Sequence, residues 1–246
     1  MRPLSPKQRE IRARDALILD EAQRVLLDGG LAALTMERVA ERVGVSRGTV
    51  SQHYTSKEDL LAAVALRTSD LRASLFERAA LFRGSSRERM AAVGIAAEVF
   101  WGLYPEHQQA ERTIKSTSFA SKISPKRAQG LANGSFRCFG AAMGIVRDAL
   151  ASGDLALPES SPPEQLCVGL WNLYIGASVM RDLEMFLDEP LLRDPMPIIH
   201  ANASVRRDGC GWKPLSSEHD AGALRERVLR EVFADEAREL GLVDAG

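Results

Sequence analysis

Residues 35–60 read TMERVAERVGVSRGTVSQHYTSKEDL. Thr35 stands one residue before Met36, where a side-chain oxygen can take a free backbone N–H and start a helix. The capping box is incomplete, because the third position after the cap is Arg38 rather than Glu or Gln. Met36, Val39, Ala40 and Val43 recur at helical spacing and make one apolar face. Gly44 follows at the place where a left-handed residue ends a helix. Val45 is expected to fill the core beneath the turn, and Ser46 caps a second helix.

From Arg47 to Tyr54 each residue advances about 100° around the axis. Val50 and Tyr54 fall on the side that packs inward. Gly48, Thr49 and Gln52 fall opposite, with Ser51 and His53 at the edges. This outer face is small and polar, which suits base edges and phosphates. Ser56 caps a third helix, and Glu58 and Asp59 complement its dipole. Lys57 sits at the same N-terminus, where free backbone N–H groups can hold a phosphate. Two short helices joined by a glycine turn, the second free to enter a major groove, make a helix-turn-helix.

The pattern resembles the N-terminal domain of the TetR family of transcriptional regulators. The resemblance is carried by Leu34-Thr35, the run Val-Ala-Glu-Arg-Val-Gly-Val-Ser at 39–46, Gly48-Thr49-Val50, His53-Tyr54, Ser56-Lys57-Glu58 and Leu60-Leu61. The segment ILDEAQRVLLDGGLAAL at 18–34 is similar to that family's first helix and its glycine break. The match covers roughly residues 12–70, about a quarter of the chain. It implies DNA contacts from Thr35, Arg47, Gly48, Thr49, Ser51, Gln52, His53 and Lys57. One departure is Ser51, where the family usually has a Tyr that packs on the DNA backbone. Ser51 reaches a phosphate with less area, so that local contact is the one in question.

Composition agrees with a soluble regulator. A chain of 246 residues can bury a substantial core in one small and one larger domain. The net charge of −1 excludes a basic nucleic-acid coat. The distribution is more informative. Residues 1–14 carry Arg2, Lys7, Arg9, Arg12 and Arg14 against Glu10 alone, a net +4, whereas residues 216–246 carry four Arg against eight acids, a net −4. Positive charge therefore lies beside the proposed reader, where phosphate attraction needs it. The same arm is equally compatible with a solvated tail.

The first residues are charged and show no signal-peptide pattern, and no apolar run approaches the roughly 20 residues that span a bilayer. Cys138, Cys167 and Cys210 are isolated and odd in number, which argues against a disulfide framework and for a reducing compartment. A cytoplasmic location is expected. The histidines at 53, 107, 200 and 219 show no metal-ligand spacing, so no metal site and no cofactor are expected. No GxSxG, P-loop or GxGxxG motif appears, and nothing supports an enzyme.

The remaining sequence reads as helices at about 56–82, 87–103, 106–121, 125–152, 164–187 and 221–240, with no strand pattern. The stretch 188–219, which holds Pro190, Pro195, Pro197, Pro214, Gly209 and Gly211, reads as a long loop. The expected fold is all-α: a basic arm (1–14), a three-helix helix-turn-helix domain (15–60) and a larger helical bundle (61–246).

The resemblance implies that the larger bundle binds a small effector and dimerises through its last two long helices, here 164–187 and 221–240. Candidate chamber residues are Phe100, Trp101, Tyr104, Asn133, Phe136, Phe139, Met143, Trp171, Asn172 and Tyr174. An apolar chamber with few polar groups is what a small-molecule site needs. The same residues also suffice to fill a core, and spacing does not separate the two. The implied function is a homodimeric repressor that releases operator DNA when a largely apolar effector binds. A regulator without an effector, and an activator, remain alternatives.

Overall fold

The caps read in the sequence set the boundaries of the N-terminal helices. A computed structural model of the chain describes residues 5–105, 110, 113–114, 122–181 and 194–243. Helix α1 (Pro6–Ala33) opens with a full capping box, Ser5 accepting from the Gln8 backbone and Gln8 returning the bond. Residues 6–14 of the basic arm are thus helical. Gly30 takes φ 65°, ψ −168°, which only glycine adopts at low cost, and breaks α1 before its last residues. In α2 (Met36–Val43), the Arg38 N–H donates to Thr35 Oγ1 at 3.1 Å. Gly44 ends it at φ 74°. In α3 (Arg47–His53), the Thr49 N–H donates to Ser46 Oγ at 3.1 Å.

Two long helices follow: α4 (Lys57–Ala80) and α5 (Ser86–Leu103). Further along lie α6 (Pro125–Ser152), with Pro in its first turn, and α7 (Pro163–Arg181). The segment read as a helix over 106–121 falls largely outside the described residues. So do residues 182–187 of the helix read over 164–187.

The stretch read as a long loop, 188–219, holds a helix within its described part, residues 194–219. Residues 196–209 form a 14-residue helix, α8 (Met196–Gly209). Pro195 and Pro197 fall at its start, where a missing N–H costs no helical bond, and Gly209 falls at its end. A short 3-10 turn, Ser216–Glu218, comes next. The final helix is two pieces, α9 (Ala221–Glu231) and α10 (Ala234–Glu239), separated at Val232-Phe233. Among the described residues there is no strand, and no helix is long and apolar enough to cross a membrane.

The chain divides into two units, residues 1–70 with 104–134, and residues 71–103 with 135–246. In the first, Ile18, Ala22, Val25 and Leu26 of α1 share a core with Val39, Val50, Tyr54, Leu60 and Leu61. In the second, Leu224, Val228 and Phe233 are buried, and α9 packs on α5. Arg225 pairs with Glu98, and Arg78 pairs with Glu236 and stacks over Phe233 at 5.1 Å. The apolar face of the C-terminal helix is therefore occupied within its own chain. These buried side chains are thus not available to the dimer surface expected over 221–240.

Candidate nucleic-acid interface and ligand chamber

The outer face of α3 follows from its anchoring. Val50 and Tyr54 are fully buried, so Arg47, Gly48, Ser51 and Gln52 are turned to solvent, with Thr49 half-buried. Arg47 meets Glu37 of α2 at 2.8 Å, both side chains exposed, so it is free to exchange that partner for a phosphate. Thr35 is exposed at the start of α2. Thr49 Oγ1 lies 3.0 Å from Ser46 Oγ, which ties it to the cap.

Two expected contacts are placed differently. The His53 side chain is only 10% exposed, and its Nδ1 lies 3.1 Å from Asp15 Oδ1 of α1. The same carboxylate oxygen accepts from the Tyr54 hydroxyl at 2.7 Å. Burial first, and Asp15 second, push the Tyr54 hydroxyl well above its ordinary pKa, so it stays a donor. His53 is thus tied to α1 through Asp15. Lys57 Nζ donates to the Leu31 carbonyl at 2.8 Å, beside the break at Gly30. Its charge serves the junction of α1 with α4, because a buried-side carbonyl left by the kink needs a donor.

The second unit holds a cavity of about 100 Å³. Three expected residues line it: Phe139, Trp171 and Tyr174. The others do not. Phe100, Trp101 and Met143 are buried in the packing; Trp101 meets the Tyr174 ring edge-on at 5.1 Å. Phe136 is 72% exposed, and Asn133 and Asn172 are also on the surface. Tyr104 belongs to the other unit. Helical periodicity identified apolar faces but not which of their residues border empty space.

The sequence reading missed the polar part of the wall: Arg72, His200 and Arg207. Two of these lie on α8, within the stretch expected to be a loop. Arg72 is buried with its guanidinium 5.7 Å from the Phe100 ring centre. His200 Nε2 sits 2.9 Å from Glu98 Oε2. Cys167 also lines the cavity, and burial pushes its thiol up to about 11, so it stays protonated and inert. Among the described residues no group of three His, Cys, Asp or Glu side chains is arranged to hold a metal ion.

Comparison with known proteins decides what the first unit is. Residues 18–64 match the family described as bacterial regulatory proteins, tetR family. Residues 18–64 are thus similar to the N-terminal domain of the TetR family. An HTH-type transcriptional activator, FasR, of Mycolicibacterium smegmatis is 30% identical over 109 residues, 44% of this chain and 48% of its own length. An HTH-type transcriptional repressor of Mycobacterium tuberculosis is 33% identical over 80 residues, 32% of this chain and 42% of that protein. The chain spans about half the length of these curated relatives. A TetR-family regulatory protein from Rhodococcus RHA1 superposes with a TM-score of 0.59 over 81% of this chain and 97% of its own, at 18% identity. At that identity the likeness extends the TetR fold to the second unit and says nothing of its ligand. The TetR match spans the break at Gly30, the turn at Gly44 and all of α3, the elements whose local caps were legible in the sequence.

Proposed function

We propose that this TetR-family chain is a homodimeric, DNA-binding transcriptional repressor that acts in the cytoplasm and leaves its operator when a small effector enters the second unit. The observation that carries the reading is the outward face of α3. Arg47, Gly48, Ser51 and Gln52 are presented together on a helix held at both ends, by Ser46 and by Tyr54. A rigid polar helix with its apolar side buried supports direct readout in a major groove.

The pairing surface is supported by α7 and α8, which pack on each other. Val168, Ile175 and Val179 form an exposed stripe along α7, and Ile198 and Val205 another along α8. Val205 is 69% exposed. Apolar stripes on two neighbouring helices call for a covering partner, and an identical chain supplies one through a two-fold axis. That axis sets two half-sites about one DNA turn or somewhat more apart. Helix α4 is common to both units: its first turn follows the reader, and Arg72 further along lines the cavity.

Selection of bound sequences from random duplex DNA, using the purified full chain, tests this. Enrichment of an inverted repeat supports the reading, and no enrichment overturns it. Coupling the recovered operator to a reporter gives the sign of regulation. Higher expression on loss of the chain supports repression, and lower expression makes it an activator.

A further inference from the structure

Resting on the effector reading above, we infer that the cavity takes an organic monoanion, a carboxylate on an apolar body, with its carboxylate held by Arg207. The wall carries cations but, among the described residues, no carboxylate. The nearby acids are engaged elsewhere. Asp208 pairs with Arg87 at 2.7 Å and accepts from Ser216, and Glu98 is held by Arg225 and His200.

Arg207 itself is 7% exposed and lines the cavity, yet no acceptor among the described residues meets its guanidinium, and its Nε is buried without a partner. The adjacent Arg87 shows what a structural arginine receives in this fold. Its Nε is also unpartnered, but its terminal nitrogens donate to the Trp212 carbonyl at 2.7 Å and to the carbonyl and hydroxyl of Ser204. Burial, then the neighbouring Arg87, lower the Arg207 pKa to about 10, so it stays charged at neutral pH while its charge is poorly solvated. A buried, unpaired charge is costly to a fold and is relieved by a ligand that completes it. A carboxylate fits the planar fork of a guanidinium in two parallel bonds.

The rest of the wall selects the body. Phe139, Trp171 and Tyr174 offer large faces, and about 100 Å³ is less than the roughly 150 Å³ that admits a benzene ring in a rigid apolar cavity. Small aromatic and short aliphatic acids are the class expected, with slight widening of the site for the ring.

The test is titration of the full chain with benzoate and hexanoate, against benzyl alcohol, hexanol, benzylamine and acetate, followed by tryptophan fluorescence and thermal shift. The acids are expected to bind about 10- to 100-fold more tightly than the matched alcohols, with no response to the amine and little to acetate. Arg207→Met should abolish that preference while leaving the Tm of the ligand-free protein unchanged or raised, which a structural arginine would not do. Should the variant fail to fold, Arg207→Lys keeps the charge and should keep the preference for acids. Equal binding of acids and alcohols, binding of acetate as tight as hexanoate, or no binding by any probe overturns the inference. Acids that bind without releasing DNA leave the site standing and refute the repressor mechanism. An alcohol that binds equally and releases DNA does the reverse.

Discussion

The guanidinium of Arg127 lies 5.1 Å from the centre of the Tyr54 ring, and the same group bonds the Asp59 carboxylate. Tyr54 directly follows the reading helix, and Asp59, 2% exposed, accepts the Thr55 N–H at 3.1 Å. The first turn of α6 thus clamps the junction between α3 and α4. Arg127→Ala leaves a buried carboxylate without its cation and removes the stacked group. A loss of about 3 kcal/mol is expected. Urea unfolding checks it, and a loss under about 0.5 kcal/mol, the range of a surface change, would contradict it.

On the proposed reading, α3 makes base contacts and phosphate contacts that substitutions can separate. Gln52→Ala should weaken the selected operator by about 1–3 kcal/mol and relax preference at one base position per half-site. Arg47→Ala should weaken all sequences alike and lower the salt slope by about one. Lys57→Ala is different, because its amine bonds the Leu31 carbonyl. It should lower stability by about 1 kcal/mol with the salt slope unchanged. Salt titrations on specific and scrambled duplexes separate the three. A drop in slope for Lys57→Ala would return that residue to the DNA surface.

Assembly should depend on α7 and α8. Ile175→Asp and Val205→Asp place charges on exposed stripes and leave the core intact. Both should yield folded monomers by sedimentation, with circular dichroism unchanged. Removal of residues 221–246 should instead unfold the second unit, since Leu224, Val228 and Phe233 are buried within the chain. A folded monomer from that truncation would show that the α5 contact is dispensable.

Stability should fall in acid through Glu98. Burial pushes this carboxyl upward, but hydrogen bonds from His200 and Arg225 outweigh it and hold it at about 2, against an ordinary 4.5. A carboxyl depressed in the folded state contributes stability that is complete above its unfolded value. That stability is lost as pH falls from 4.5 through about 2, and it amounts to about 3 kcal/mol. Glu98→Gln should flatten that part of the stability profile. An identical slope in the variant would assign the acid sensitivity to other groups.

The amino-acid order alone determined the reader. Thr35, Gly44 and Ser46 act within three or four residues of their partners, and such caps fold the same way wherever the helix is placed. The apolar periodicity of α4, α5 and α6 was legible for the same reason. Spacing did not show side-chain partners that are distant in the chain. His53 is turned by Asp15, 38 residues away, and Lys57 by the Leu31 carbonyl, 26 away. Helix α8 was hidden because its prolines and glycines are breakers in the middle of a helix but harmless at its ends, and only the register decides which applies.

Tertiary structure alone decided the chamber. Phe100 and Phe139 are alike in sequence, yet one fills packing and the other borders empty space. Arg87 and Arg207 are both buried arginines, yet only the first receives acceptors. A cavity is a property of the space between helices, and no single helix encodes it. Local hydrogen bonds are written into neighbouring residues, whereas the partner of a buried charge is set by which helices the hydrophobic core brings together.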